Sequence, residues 1–150
     1  MRPCTGLLPQ ALRVRVQFLD WRPQEELRPV YDEHGVFLFP SFVEGFGKVF
    51  LEAMARGLCV VAADNGGAHD VITDGSDGIL VPTGSANAMR DACLHLLRSP
   101  ATAARLSEAA ARRAQSYTWE AAAKATLRFY EDRLAAKKQR RAQPGSRSAL

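Results

Sequence analysis

Two carboxylates eight residues apart, Glu44 and Glu52, bracket a glycine-rich turn in the stretch PSFVEGFGKVFLEAMARG, residues 40–57. Carboxylates accept hydrogen bonds from sugar hydroxyls. Between them Gly45 and Gly47 flank Phe46, and Lys48 and Val49 open a run of helix formers that closes at Gly57. Backbone N–H groups at a helix start attract phosphate, so the pattern suits an anion bound beside hydroxyl groups. Lys48, Glu52 and Arg56 recur every four residues on an otherwise apolar helix. That spacing fits either a surface ladder of ion pairs or one wall of a cleft. The glycine turn favours the cleft, because a helix start facing a crevice is where parallel α/β sheets take ligands.

Such a turn needs a strand on either side of the helix to hold it. VFLF at 36–39 and LCVVAA at 58–63 are apolar runs too short for a typical helix, as buried strands are. GILVP at 78–82 reads as a further strand after paired Asp-Gly turns, and VRVQFL at 14–19 alternates as an earlier one. A short helix is predicted over 24–33, with Pro29 straining its middle. DNGGAHDV reads as a second glycine loop, where Gly66 and Gly67 let the backbone approach something closely. Strand, helix and strand alternate as in parallel α/β units. Beyond residue 82 the chain turns helical. Ser85 caps a helix with Met89, Cys93, Leu96 and Leu97 on one face, and Ser99-Pro100 starts a second. Thr118 caps a third, with Trp119, Leu127, Tyr130 and Leu134 on one side. No internal repeat is present.

Bulk properties narrow the class. The 150 residues, 47% hydrophobic and 24% charged, are those of a globular domain, and no run reaches the roughly 18 apolar residues of a membrane span. The first residues, interrupted by Pro3 and Pro9, make a poor signal peptide. Three scattered cysteines (Cys4, Cys59, Cys93) read as free thiols in a reducing compartment, and metal-ligand spacing is absent. A cytoplasmic protein is expected. Its net charge of +4 comes from the end of the chain: five of the 20 basic residues follow Ala136, leaving 15 basic against 16 acidic before it. Residues 137–150 are expected to be a disordered basic tail, with weak contact to an anionic membrane as the alternative and no nucleic acid partner.

EGFGKVFLEAMARG, followed by GLCVVAADNGGAHDVITDGSDGILVPTG, resembles the C-terminal domain of GT-B glycosyltransferases, in particular the retaining family 4 (glycosyl transferases group 1). The resemblance runs from about residue 14 to 130, and Glu44 and Glu52 meet the family's E-x7-E spacing. It implies a Rossmann-like parallel sheet with helices on both faces, over residues 1–136, that binds a nucleotide-diphosphate sugar for transfer to an acceptor. Glu44, as the catalytic position, would bind the donor sugar's hydroxyls beside the Gly45, Phe46 and Gly47 backbone. The Lys48 and Val49 amides would face the diphosphate and Glu52 the ribose. No metal or other cofactor is implied, since oriented N–H groups and a helix dipole can meet the charge that builds on a leaving diphosphate.

The chain also departs from that family. Cys59 replaces the usual proline before the VV strand and reads as a buried, inert thiol. His34 and His69 read as surface residues, and Asp70 stands where a glutamate is usual. The family's first two strands of this domain, its diphosphate-gripping Arg and Lys, and its acceptor domain have no counterpart here. A truncated product is therefore expected, or a rearranged sheet in which residues 14–19 pair with 36–39, or a half-enzyme completed by a partner chain. A non-catalytic binding module is the further alternative.

Overall fold

A computed structural model describes residues 9–142. Its elements are α1 (Gln10–Arg13), α2 (Gln24–Asp32), β1 (Val36–Phe39), α3 (Lys48–Ala55), β2 (Cys59–Ala63), α4 (Gly66–Val71), β3 (Ile79–Val81), α5 (Ala86–Arg98), α6 (Pro100–Ala114) and α7 (Trp119–Ala142). The strands form a parallel sheet in the order β1-β2-β3, with Val36 opposite Cys59 and Val61 opposite Ile79.

β2 explains why its sequence is apolar without interruption. Alternate side chains of a strand face opposite sides of its sheet, and both sides of β2 are covered. Val60 and Ala62 pack with Phe50, Ala53 and Met54 of α3 and Ala68 and Val71 of α4. Cys59, Val61 and Ala63 pack on the other side with Met89, Ala92 and Leu96 of α5. α6 reaches both layers, through Ala110 in the first and Leu106 in the second. A buried Phe or Leu contributes roughly 1.5–3 kcal/mol over leaving it exposed, so these layers hold most of the fold's stability.

The caps fall where the side chains allow them. Ser85 Oγ accepts from the Ala88 N–H and Thr118 Oγ1 from that of Ala121, each relieving an orphan donor of a first turn. Pro100 opens α6, and Gly57 enters the left-handed region (φ 77°) just past α3.

Four expectations are corrected. Residues 14–19 form a turn and irregular chain rather than a strand. They do not pair with β1, whose outer edge has no strand partner among the described residues. Alternation makes a strand only where a neighbour takes up its N–H and C=O groups, and here none does. The Gly66-Gly67 loop is instead the first turn of α4, started by Asn65, whose side chain accepts from the Ala68 N–H. Leu97 leaves the buried face of α5 and is 75% exposed. Finally, α7 continues through residues 137–142, where disorder was expected. Residues 143–150 of the anticipated tail, and Cys4, lie outside the described residues.

Candidate functional site

In a parallel sheet each strand delivers the chain to the same edge, and here two glycine-bearing segments meet there. Residues 40–47 leave the carboxyl end of β1 and Asp64-Asn65 that of β2. The segments are tied together. Asn65 Nδ2 donates to the Ser41 carbonyl at 3.0 Å and the Gly67 N–H to the Glu44 carbonyl at 3.2 Å. Gly67 is required by that approach: a Cβ there would lie 2.6 Å from the Gly45 carbonyl oxygen. Gly47 adopts φ 71° and sits over the Phe50 ring, which a Cβ would strike. Both constraints fix the loop from Glu44 to Gly47 against the core.

That loop starts α3 with no side-chain cap. The first N–H groups of a helix have no partner within it, so the Lys48 and Val49 amides remain available, with the positive end of the helix dipole behind them. The Glu44 side chain, half-buried, accepts from the Gly45 N–H at 3.1 Å. Phe46 projects outward, and its ring lies 6.3 Å from that of Tyr117 at the α6–α7 junction. Tyr117 in turn donates from its hydroxyl to the Asp70 carbonyl at 3.2 Å.

Between α3 and the start of α7 lies an open cleft of about 840 Å³. Phe46, Lys48 and Glu52 line it on one side, and Tyr117, Thr118 and Trp119 on the other, with Gln24 at its margin. The fold thus brings three of the seven anticipated residues to one cleft. Glu44, Gly45, Gly47 and Val49 belong to the same loop and first turn but do not line that cleft.

The Lys48–Glu52–Arg56 stripe is not an ion-pair ladder. Arg56 forks onto both carboxylate oxygens of Asp32 in α2 (Nε to Oδ1 2.6 Å), which holds the Asp32 carboxyl below its usual range. Glu52 accepts from Gln24 Nε2 at 3.0 Å. Lys48 pairs with no acid among the described residues. Gln24, Tyr117 and Trp119 were not anticipated as site residues. An i,i+4 stripe shows which side chains share a face but not which helix meets that face.

The other singled-out residues lie where burial puts them. Cys59 is fully buried, and desolvation pushes its thiol up to about 11. His34 is exposed with Nδ1 2.6 Å from the Val30 carbonyl, and His69, exposed on α4, lies 2.7 Å from Asp64. Among the described residues no three His, Cys, Asp or Glu side chains gather as a metal site would need. No described helix is long and apolar enough to cross a membrane.

The family model for glycosyl transferases group 1 matches residues 9–113, more than two thirds of the chain. The chain belongs to that family. Similar group 1 relatives include the D-inositol 3-phosphate glycosyltransferases of Corynebacterium diphtheriae, 42% identical over 79% of this chain, and of Corynebacterium glutamicum, 39% identical over 81%. The alignments span 28% and 29% of those proteins, so the chain covers less than a third of their length. Among solved structures, the sucrose-phosphate synthase of Thermosynechococcus elongatus superposes with a TM-score of 0.73 at 35% identity, over 84% of this chain and 32% of that one. HepE of Anabaena, solved in complex with UDP-glucose, superposes at 0.67 and 27% identity, over 71% of this chain and 29% of that one. The group 1 chain is therefore an α/β glycosyltransferase domain of the GT-B type that spans about a third or less of the length of these relatives.

Proposed function

We propose that this chain is the donor-binding wall of a retaining family 4 glycosyltransferase, which holds a nucleotide-diphosphate sugar while the sugar passes to an acceptor. The observation that carries the reading is the uncapped start of α3 at the carboxyl edge of the sheet, with Phe46, Lys48 and Glu52 of that turn and helix lining the cleft. In this reading Glu52 accepts the ribose hydroxyls, and the Lys48 and Val49 amides meet the diphosphate. Glu44, with the Gly45, Phe46 and Gly47 backbone, faces the sugar. As the sugar leaves, negative charge grows on the diphosphate, and fixed N–H dipoles stabilise it without reorganising. The UDP and UDP-glucose complexes of HepE support a nucleotide-sugar donor. The acceptor wall and further cationic groups for the diphosphate would come from outside these residues, so the chain alone is expected to bind a donor weakly and to turn over none. The open β1 edge and exposed apolar flanks favour completion by further polypeptide, such as a partner chain.

Titration of the chain with UDP-glucose by calorimetry tests the reading. Loss of charge-assisted hydrogen bonds worth about 1.5–3 kcal/mol predicts that Glu52→Ala weakens binding by roughly ten-fold or more. Undiminished affinity in that variant, or enzyme-like transfer by the chain alone, would refute it.

A further inference from the structure

Within α3, Glu52 has cationic neighbours one turn to either side, yet it pairs with neither. Arg56 is taken by Asp32. The contacts of Glu52 come instead from α2. Gln24 Nε2 donates to Oε1 at 3.0 Å. Two turns further along α2, the Tyr31 ring is half-buried against the first core layer and meets Phe37 edge-on at 6.0 Å. The Asp32–Arg56 fork anchors the far end of α2 to α3, so the Gln24 donor is held by a docked helix rather than by a loop.

An unsupported glutamate has several rotamers to lose when it binds a ligand. A carboxylate has about four acceptor sites, so a donor can fix its plane and still leave room for a vicinal diol. We propose that Gln24 is a positioning residue that holds Glu52 in its diol-binding orientation, so that α2 sets the chain's affinity for the ribose of the donor nucleotide. This rests on the assignment of Glu52 to the ribose made above.

The test uses the full chain, with UDP, GDP and ADP as probes and calorimetry as the readout. The tightest of the three is carried forward with its 2′,3′-dideoxy counterpart. Gln24→Met removes the donor at nearly constant volume. It is expected to weaken the ribonucleotide about three- to ten-fold, the scale of ordering one long side chain. The dideoxy nucleotide, which offers Glu52 no diol, should bind this variant as it binds the unaltered chain. In a Glu52→Ala background Gln24→Met should cost nothing further. Unchanged ribonucleotide affinity in Gln24→Met, with Glu52→Ala still losing it, overturns the proposal and leaves the ribose assignment standing. Equal losses for ribo- and dideoxynucleotide overturn it in favour of a structural role. A loss that persists in Glu52→Ala overturns it in favour of direct contact by Gln24. If Glu52→Ala itself changes nothing, or no probe binds the unaltered chain, the ribose assignment fails first and takes this proposal with it.

Discussion

Residues 36–114 hold the buried core, although Phe42, Val43 and Leu97 there are exposed, whereas the segments that flank them bury little. In the central region β2 is covered on both faces, and Phe50, Met54, Leu58 and Leu106 are fully or almost fully buried. In the flanks, at 9–35 and 115–142, comparably apolar residues face outward: Trp21 is 88% exposed and Trp119 87%, with Val14, Leu127 and Tyr130 also on the surface. The central region therefore supplies its own core, whereas the flanks carry apolar surface that nothing among the described residues covers. The cleft lies on the seam between the two. α3 gives it one rigid wall from the core, and Gln24 and Tyr117–Trp119 give it margins from the flanks. A rigid wall suits groups that must meet a diphosphate in a fixed geometry, while the flanks are where further polypeptide would complete the site.

Substituting matched residues on either side of the seam is the most direct way to break this contrast. Leu106→Ala should lower unfolding free energy by about 3 kcal/mol, since it removes a buried side chain and leaves a cavity. Leu127→Ala in α7 should change it by less than about 0.5 kcal/mol. Urea denaturation compares the two, and equal losses would mean that α7 is covered after all. Gly67→Ala follows, at about 2 kcal/mol, because its Cβ must displace the Gly45 carbonyl. The same denaturation series reads it, and a loss near zero would show that the two glycine segments do not press together.

The next effect depends on pH. The folded-state thiol of Cys59 titrates near 11 against an ordinary 9.0. A raised folded pKa means that its contribution is fully present below pH 9 and is lost as pH rises toward 11, on the order of 2 kcal/mol. Cys59→Ala should flatten that window in stability measured against pH. Asp32 gives the smallest effect and the opposite sign. Its folded pKa is lowered by the hydrogen bond from Arg56, so its contribution is present above the ordinary 3.8 and is lost as pH falls below that value. Because the pair is exposed, Asp32→Asn should lower stability only slightly near neutral pH, and the difference should close as an acid titration passes below pH 4; a difference that does not change with pH would remove Arg56 as its partner.

The strands at 36–39, 58–63 and 78–82 were legible because buried parallel strands are short, continuous apolar runs between turn signals. The caps at Ser85 and Thr118, the proline at the start of α6 and the glycine after α3 were legible because each answers a backbone need that only a few residue types meet. Residues 14–19 show the limit: their alternation is as regular as a strand's, but an edge partner is a non-local fact. Leu97 and the side chains of α7 show it again, since periodicity assigns residues to a face and says nothing of what that face meets. In the site, the glutamates and glycines stood out by type and spacing. Gln24, Tyr117 and Trp119 did not, because α2 and the α6–α7 junction reach α3 only through the fold.

From residue types alone came a parallel α/β domain with a glycine turn and two glutamates at a helix start, since dihedral demands, caps and apolar runs are written locally. Which groups share a cleft was settled by tertiary packing. Glu44 lies outside the cleft lining and Glu52 within it, held from α2 rather than by its own helix, because side chains from segments distant in sequence come together only once the core has fixed the angle at which helices meet.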